Sequence, residues 1–168
     1  MKLSESLEAA LNKQIGCEFA ACLSYLSMAS YFDRMAYDGF ASWMHLQSDE
    51  ERLHAMKFYN YLLDRDGVVQ LPAIQAPRFE FDSPLQVFKS SLSQEQAVSK
   101  SIYEIYKLAH DEGDYATVSF LKWFIDEQVE EEKNVSDMID KLERAADNPE
   151  AILLLDRYAS EREPESED

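Results

Sequence analysis

The chain has 168 residues, about one domain's worth, and 46% of them are hydrophobic, which suits a buried core and excludes disorder along its whole length. Four glycines and five prolines are too few for the many tight turns of an all-β sandwich or barrel, so long helices are expected. Acidic residues outnumber basic ones 33 to 16, a formal charge of −17, so nucleic acid and anionic membrane surfaces are repelled and cations are the expected clients.

The opening stretch MKLSESLEAALNKQ carries charges where a signal peptide needs its apolar centre. No apolar run reaches the roughly 18 residues of a membrane span, and the chain is expected in the cytoplasm. The first helix is predicted from Ser4 to Met35. Its two cysteines, Cys17 and Cys22, point to different parts of the helix circumference, cannot bridge, and read as small buried hydrophobes in a reducing compartment. A second helix is predicted from Asp38 to Arg65, with Gly39, read as turn punctuation between the two long segments, at its start and Gly67 after it. The stretch GVVQLPAIQAPRFEFDS, residues 67–83, holds two prolines and no helical period, and is long enough to run the length of a helix.

The third helix is predicted from Pro84 behind the capping residue Ser83 to Glu112, the fourth from Asp114 past the turn at Gly113 to Ala146. A short fifth follows Asn148, from Pro149 to Ala159, and the acidic tail EREPESED, residues 161–168, is expected to fray. Four segments of about thirty residues make rods of about 40 to 45 Å. Short links within each pair and a long one between pairs make an all-α four-helix bundle of two antiparallel hairpins joined by a crossover, one domain over residues 1–160.

Apolar residues recur every three or four positions on each rod, and charges interrupt all four stripes. The first stripe runs Leu7, Leu11, Gln14, Glu18, Cys22, Tyr25, Ala29 and Phe32, with Glu18 at its middle. The second runs Phe40, Met44, Gln47, Glu51, His54, Phe58 and Leu62; the third has Glu95 between Leu92 and Val98; the fourth has Gln128 and Glu131 between Phe124 and Val135. One unpaired buried carboxylate costs several kcal/mol, and no lysine or arginine lies on these stripes to offset four of them. A bound cation resolves the conflict. Carboxylates with one imidazole suit iron, manganese or zinc, and Glu51 and His54, three apart, share one helical face.

Taken singly these signals are weak: Glu-x-x-His arises often by chance, and Glu18 or Glu95 alone could snorkel to a rim or mark an interhelical ion pair. The specific feature is the joint pattern, a mid-length inward carboxylate on each of four helices. Glu50, Glu127 and Glu130 lie beside the stripes, where a solvated face and a ligand role both remain open. Tyr25 and Trp123 read as core residues with a hydrogen-bonded hydroxyl or indole, a redox role being the alternative. His45 and His110 read as surface or structural residues.

LNKQIGCEFAACLSYLSMASYF, DEERLHAMKFYNYL, the QEQ around Glu95 and FLKWFIDEQVEEE together resemble the non-haem prokaryotic ferritins. The resemblance, over residues 1–160, implies a ferritin-like bundle with ferroxidase and iron-storage activity, Fe²⁺ and dioxygen as substrates, and a homo-oligomeric shell of twenty-four subunits. It implies one iron on Glu18, Glu51 and His54, a second on Glu95 and Glu131, Glu51 bridging the two, Gln128 behind the ligands and Tyr25 beside the centre. Glu50, Glu127 and Glu130, with Glu131, match the third iron site of bacterial ferritins. Where the general bundle pattern carries a second Glu-x-x-His, this chain reads Gln128-Val129-Glu130-Glu131. The interior of the first motif is Arg52-Leu53, without the haem-ligating methionine of bacterioferritins, and no Cys-x-x-Cys exists for the iron–sulfur centre of rubrerythrins, so no haem is implied. The acidic channel of animal ferritins has no counterpart in TVSFL at the start of the fourth helix. The alternatives are a non-catalytic metal-buffering shell and a small di-iron oxidoreductase that does not mineralise iron.

Overall fold

Each long rod is set by a polar residue that closes its first turn. In the computed structural model, which describes residues 2–163, Ser4 accepts from the Leu7 amide at the start of α1 (Glu5–Arg34) and Ser83 from the Gln86 amide at the start of α3 (Pro84–Asp111). Asp114 does the same for Thr117 in α4 (Tyr115–Ala145), and Asn148 for Glu150 and Ala151 in the short α5 (Pro149–Ala159). The exception is α2 (Asp38–Asp64), whose N-cap Tyr37 makes no side-chain capping bond. Its orphan donors are met from a distance: Asp156 of α5 accepts the Phe40 amide through Oδ1 at 2.8 Å.

That docking explains Gly39, which the sequence reading places in the turn and the structure places inside the first turn of α2. A Cβ there would lie 1.7 Å from the Asp156 carbonyl oxygen, so Gly39 is required for the close approach of α5. Gly113, at φ +70°, is the glycine whose backbone freedom turns α3 into α4.

Side-chain pairing fixes the topology. Tyr25 reaches Ser91 and Glu95, and Gln14 meets Ser101, so α1 runs antiparallel to α3. Gln47 meets Glu131 and Tyr61 meets Thr117, so α2 runs antiparallel to α4. The crossover lies along α1: Asn12 holds Val68 and Gln70, Pro72 covers Gly16, Ser27 holds Arg78 and Arg34 holds Phe79. It spans the rod and delivers α3 parallel to α2, as the length of the link predicts.

The interior is divided. One apolar cluster, around Phe32, Phe40, Trp43, Phe88 and Met138, fills the end where α5 docks. The other, around Leu11, Phe58, Ile102, Leu121 and Phe124, fills the opposite end. Full burial of each such side chain contributes about 1.5–3 kcal/mol. Ring contacts lock both ends, with Phe32 and Phe40 centroids 5.2 Å apart at one and Phe58 stacked on Phe124 at 4.1 Å at the other. Between them lies a buried polar layer containing Gln14, Glu18, Gln47, Glu51, His54, Glu95, Gln128 and Glu131.

The cysteines differ from expectation: both are free, but half-buried rather than buried. Cys22 faces the α1–α2 seam, its Sγ 3.4 Å from Ser48 Oγ, because the seam and not the bundle axis receives that position. His45 and His110 are exposed, as read. Among the described residues no helix is long and apolar enough to cross a membrane. Of the predicted frayed tail, residues 164–168 lie outside the described residues.

At the end of the bundle away from α5, Arg65 grips Asp114 with both nitrogens, Nη2–Oδ2 at 2.7 Å and Nη1–Oδ1 at 3.1 Å, tying the end of α2 to the start of α4. This guanidinium, then the Thr117 donors, pull the Asp114 carboxyl from 3.8 down to about 2. A depressed carboxyl pKa stabilises the fold above its unfolded value, and the benefit disappears as pH falls through the folded value. Asp114→Asn is therefore expected to cost about 2 kcal/mol at pH 7, with the gap to the parent narrowing below pH 4 and closing near pH 2. Denaturant midpoints of both proteins across that range check it; a gap independent of pH would contradict the assignment.

Candidate metal centre

The 3.6-residue period delivers one acid from each rod to the same level of the bundle. Glu18 from α1, Glu51 and His54 from α2, Glu95 from α3 and Glu131 from α4 are all buried, none of them more than 4% exposed. Glu18, Glu51 and His54 each bring a ligand atom within 4.8 Å of the other two. His54 Nδ1 lies 3.5 Å from Glu51 Oε2, the one-turn pairing expected of residues three apart.

The hydrogen bonding of these acids is lopsided. Gln14 Nε2 donates to Glu18 Oε1 at 2.8 Å, and the Gln14 carbonyl is itself held by Ser101 at 2.5 Å. Gln47 Nε2 donates to Glu131 Oε2 at 2.8 Å. On the far sides, Glu18 Oε2 and Glu131 Oε1 accept nothing from the described residues, and neither oxygen of Glu51 accepts a hydrogen bond. Glu95 differs in having both oxygens engaged: the Tyr25 hydroxyl donates to Oε1, and Gln128 Nε2 lies 3.2 Å from Oε2. Tyr25 also meets Ser91 at 2.8 Å, and Gln128 is steadied by Ser99 at 3.3 Å. Buried carboxylate oxygens facing one another without donors are what a cation-binding cluster requires and what a purely structural core avoids.

Burial is the first cause of the shifted acidities. It raises Glu18 to about 7, opposed by the neighbouring Glu51 carboxyl and by the Gln14 hydrogen bond. It raises Glu51 well above the ordinary carboxyl value, reinforced by the charges of Glu95, Glu18 and Glu131. Glu131 is also raised well above that value and Glu95 is raised, burial again leading. The Tyr25 phenol is pushed up by burial and by Glu95, which keeps it a proton donor. In every case the direction favours the neutral carboxyl, the state a buried cluster adopts when no cation offsets its charge, and carboxylates with one imidazole suit iron, manganese or zinc.

The residues beside the stripes separate. Glu50 is buried, Glu127 is half-buried with Oε1 3.9 Å from His54 Nε2, and Glu130 is exposed on α4. Trp123 is 36% exposed, so it is not a core residue; its ring packs edge-on against His54 at 5.4 Å, and Lys57 Nζ sits 3.5 Å over it. Sequence reasoning traced Gln14 and Gln47 on the stripes without a role for either. For Gln14 the signal was its spacing, four residues before its partner Glu18, whereas the partner of Gln47 is Glu131 on another rod, which no spacing shows. It missed Arg162 entirely: Nη2 of this residue beyond α5 binds Glu50 Oε2 at 2.7 Å, and its other nitrogen donates to Gln47.

The family profile of the ferritin-like domain matches residues 8–145. The chain is 43% identical to the bacterial non-heme ferritin of Staphylococcus aureus (strain USA300) over 160 residues, 95% of this chain and 96% of that protein. The Staphylococcus epidermidis non-heme ferritin is 44% identical over the same share of each. Among solved structures, the open pore ferritin of Archaeoglobus fulgidus superposes with a TM-score of 0.95 at 42% identity, covering 96% of this chain and all of that one. A humanized archaeal ferritin superposes at 0.96 with 40% identity, covering 98% of this chain and 100% of that one. With fold and sequence in agreement, this chain belongs to the ferritin family of iron-storage proteins, among its non-haem prokaryotic members.

Proposed function

We propose that the protein is a ferroxidase as well as a store, oxidising Fe²⁺ with dioxygen at a paired iron centre and depositing Fe³⁺ as mineral inside a cytoplasmic shell of twenty-four subunits. The observation that carries this reading is Glu51: both its oxygens lack donors, between the Glu18–His54 side and the Glu95–Glu131 side, as a carboxylate bridging two ions requires. Each ferrous ion supplies one electron to dioxygen; the chain supplies the geometry.

Gln14 turns Glu18, and Gln47 turns Glu131, so that one oxygen of each faces the centre before any ion arrives. Tyr25 and Gln128 hold Glu95. Prior orientation lowers the ordering cost of binding. Oxygen-rich ligation favours the ferric over the ferrous state, and the position held by Glu95 and Glu131 without imidazole should exchange its ion more readily than the one holding His54. Glu50, Glu127 and Glu130, with Glu131, supply a third iron site. The charge of −17 per chain concentrates cations around the assembly and favours mineral growth on its inner wall.

Aerobic ferrous titration followed by absorbance should show a rapid phase ending at about two iron atoms per chain, with matching oxygen uptake. Glu51→Ala should slow that phase at least about tenfold. Iron bound without oxygen uptake would identify a metal buffer instead, and a small species on gel filtration a di-iron oxidoreductase. Glu130→Ala should leave the first turnover intact and change the uptake that follows; superimposable multi-turnover traces would remove the third site.

The raised acidities give a further expectation with a definite sign. Between about pH 4.5 and pH 7 the metal-free native centre binds more protons than the unfolded chain, so stability falls as pH rises through this window. Thermal melts of the metal-free protein should show that decline, Glu51→Gln should flatten it, and added Zn²⁺ should abolish it. A parent and a Glu51→Gln variant with parallel profiles would show that the cluster is not protonated.

A further inference from the structure

Arg162 lies three residues beyond the end of α5, yet its side chain is only 11% exposed and that of its partner Glu50 only 10%. A buried arginine needs several acceptors, and this one has them: Glu50 Oε2 at 2.7 Å and Gln47 Oε1, with the guanidinium carbon 4.8 Å from the centre of the Trp43 ring. Gln47 passes the contact inward, because its amide nitrogen donates to Glu131 Oε2. One cationic group from the end of the chain thus reaches both the third-site acid Glu50 and, through one amide, a ligand of the paired centre.

Resting on the reading that Glu50 receives iron, we infer that Arg162 is a displaceable counter-cation: it neutralises Glu50 and orients Gln47 while the site is empty, and an ion arriving at Glu50 expels it and unseats the segment after α5. A guanidinium and a metal ion held against the one carboxylate repel each other, so each weakens the other's hold on Glu50. The segment that must yield is short, since α5 itself is anchored separately by Asp156 on the Phe40 amide and by its fit over Gly39. Arg162 is in these terms a positioning residue, acting on Glu131 through Gln47.

Zn²⁺ tests this without redox chemistry, on the assembled protein stripped of iron. Calorimetry should show Arg162→Gln binding the weakest of its ions about tenfold more tightly than the parent, the effect of removing one close charge competitor. Arg162→Lys, which keeps the charge within reach of Glu50, should stay near the parent. Hydrogen exchange supplies a readout that a merely structural contact would not move. In the parent, amides of residues 157–163 should exchange faster with saturating Zn²⁺ than without, and in Arg162→Gln they should be fast in both states.

Unchanged affinity in Arg162→Gln, or parental exchange indifferent to Zn²⁺, overturns the inference. Should the glutamine variant fail to assemble, the parental exchange measurement decides alone. Rapid ferrous oxidation with no response at Arg162 would sink the inference and leave the ferroxidase reading standing. The Arg162 responses without any oxygen uptake would do the reverse, and a parent that binds no Zn²⁺ would defeat both.

Discussion

The structure depends on burying four carboxyl groups and an imidazole in one layer while leaving oxygens of Glu18, Glu51 and Glu131 without donors among the described residues. Taken alone, the layer is destabilising: carboxylates removed from water lose solvation that their neighbours, being carboxylates too, cannot return. The fold meets this in two ways. Apolar clusters on both sides supply the stabilisation the layer lacks, and burial raises the acidities of Glu18 and Glu51 in the direction that favours their neutral forms. Affinity for cations and instability of the empty core are thus one property seen from two sides.

Selectivity of orientation comes from neutral donors. Gln14, Gln47 and Gln128 are amides and Tyr25 is a phenol, and each fixes a carboxylate without contributing a charge that would repel an incoming ion. Lysine or arginine in the same places would have satisfied the carboxylates and closed the site. Serines 91, 99 and 101 complete the arrangement by holding the donors, so the geometry is defined two contacts away from the ligands.

Much of this was legible in the sequence. Stripe periodicity located Glu18, Glu51, His54, Glu95 and Glu131, because a charge inside an apolar row stands out against a period that buries it. Ser83-Pro84 and Asn148-Pro149 marked helix starts by local chemistry alone. What escaped depends on contacts distant in the chain. Gly39 reads as turn punctuation until α5 is placed over it, and Cys22 reads as inward because an ideal period ignores the curvature of a real seam. Arg162 sits in a segment without period, 112 residues from Glu50, and no spacing rule connects them.

Arg162 also bears on how this centre departs from the two-histidine bundle pattern. Glu131 stands where that pattern offers a neutral imidazole and Gln128 where it offers a carboxylate, so the layer keeps four carboxylates but has one imidazole fewer to share it. Gln47 orients the Glu131 carboxylate but, being neutral, cannot offset its charge. Arg162, entering from outside the four rods, lowers the acidity shift of Glu131 through its charge and leaves the interior stripes free of cations. A cation held beyond α5 can withdraw without breaking a rod, whereas one built into α2 or α4 could not. The proposed all-carboxylate second position therefore goes together with a counter-charge kept at the periphery.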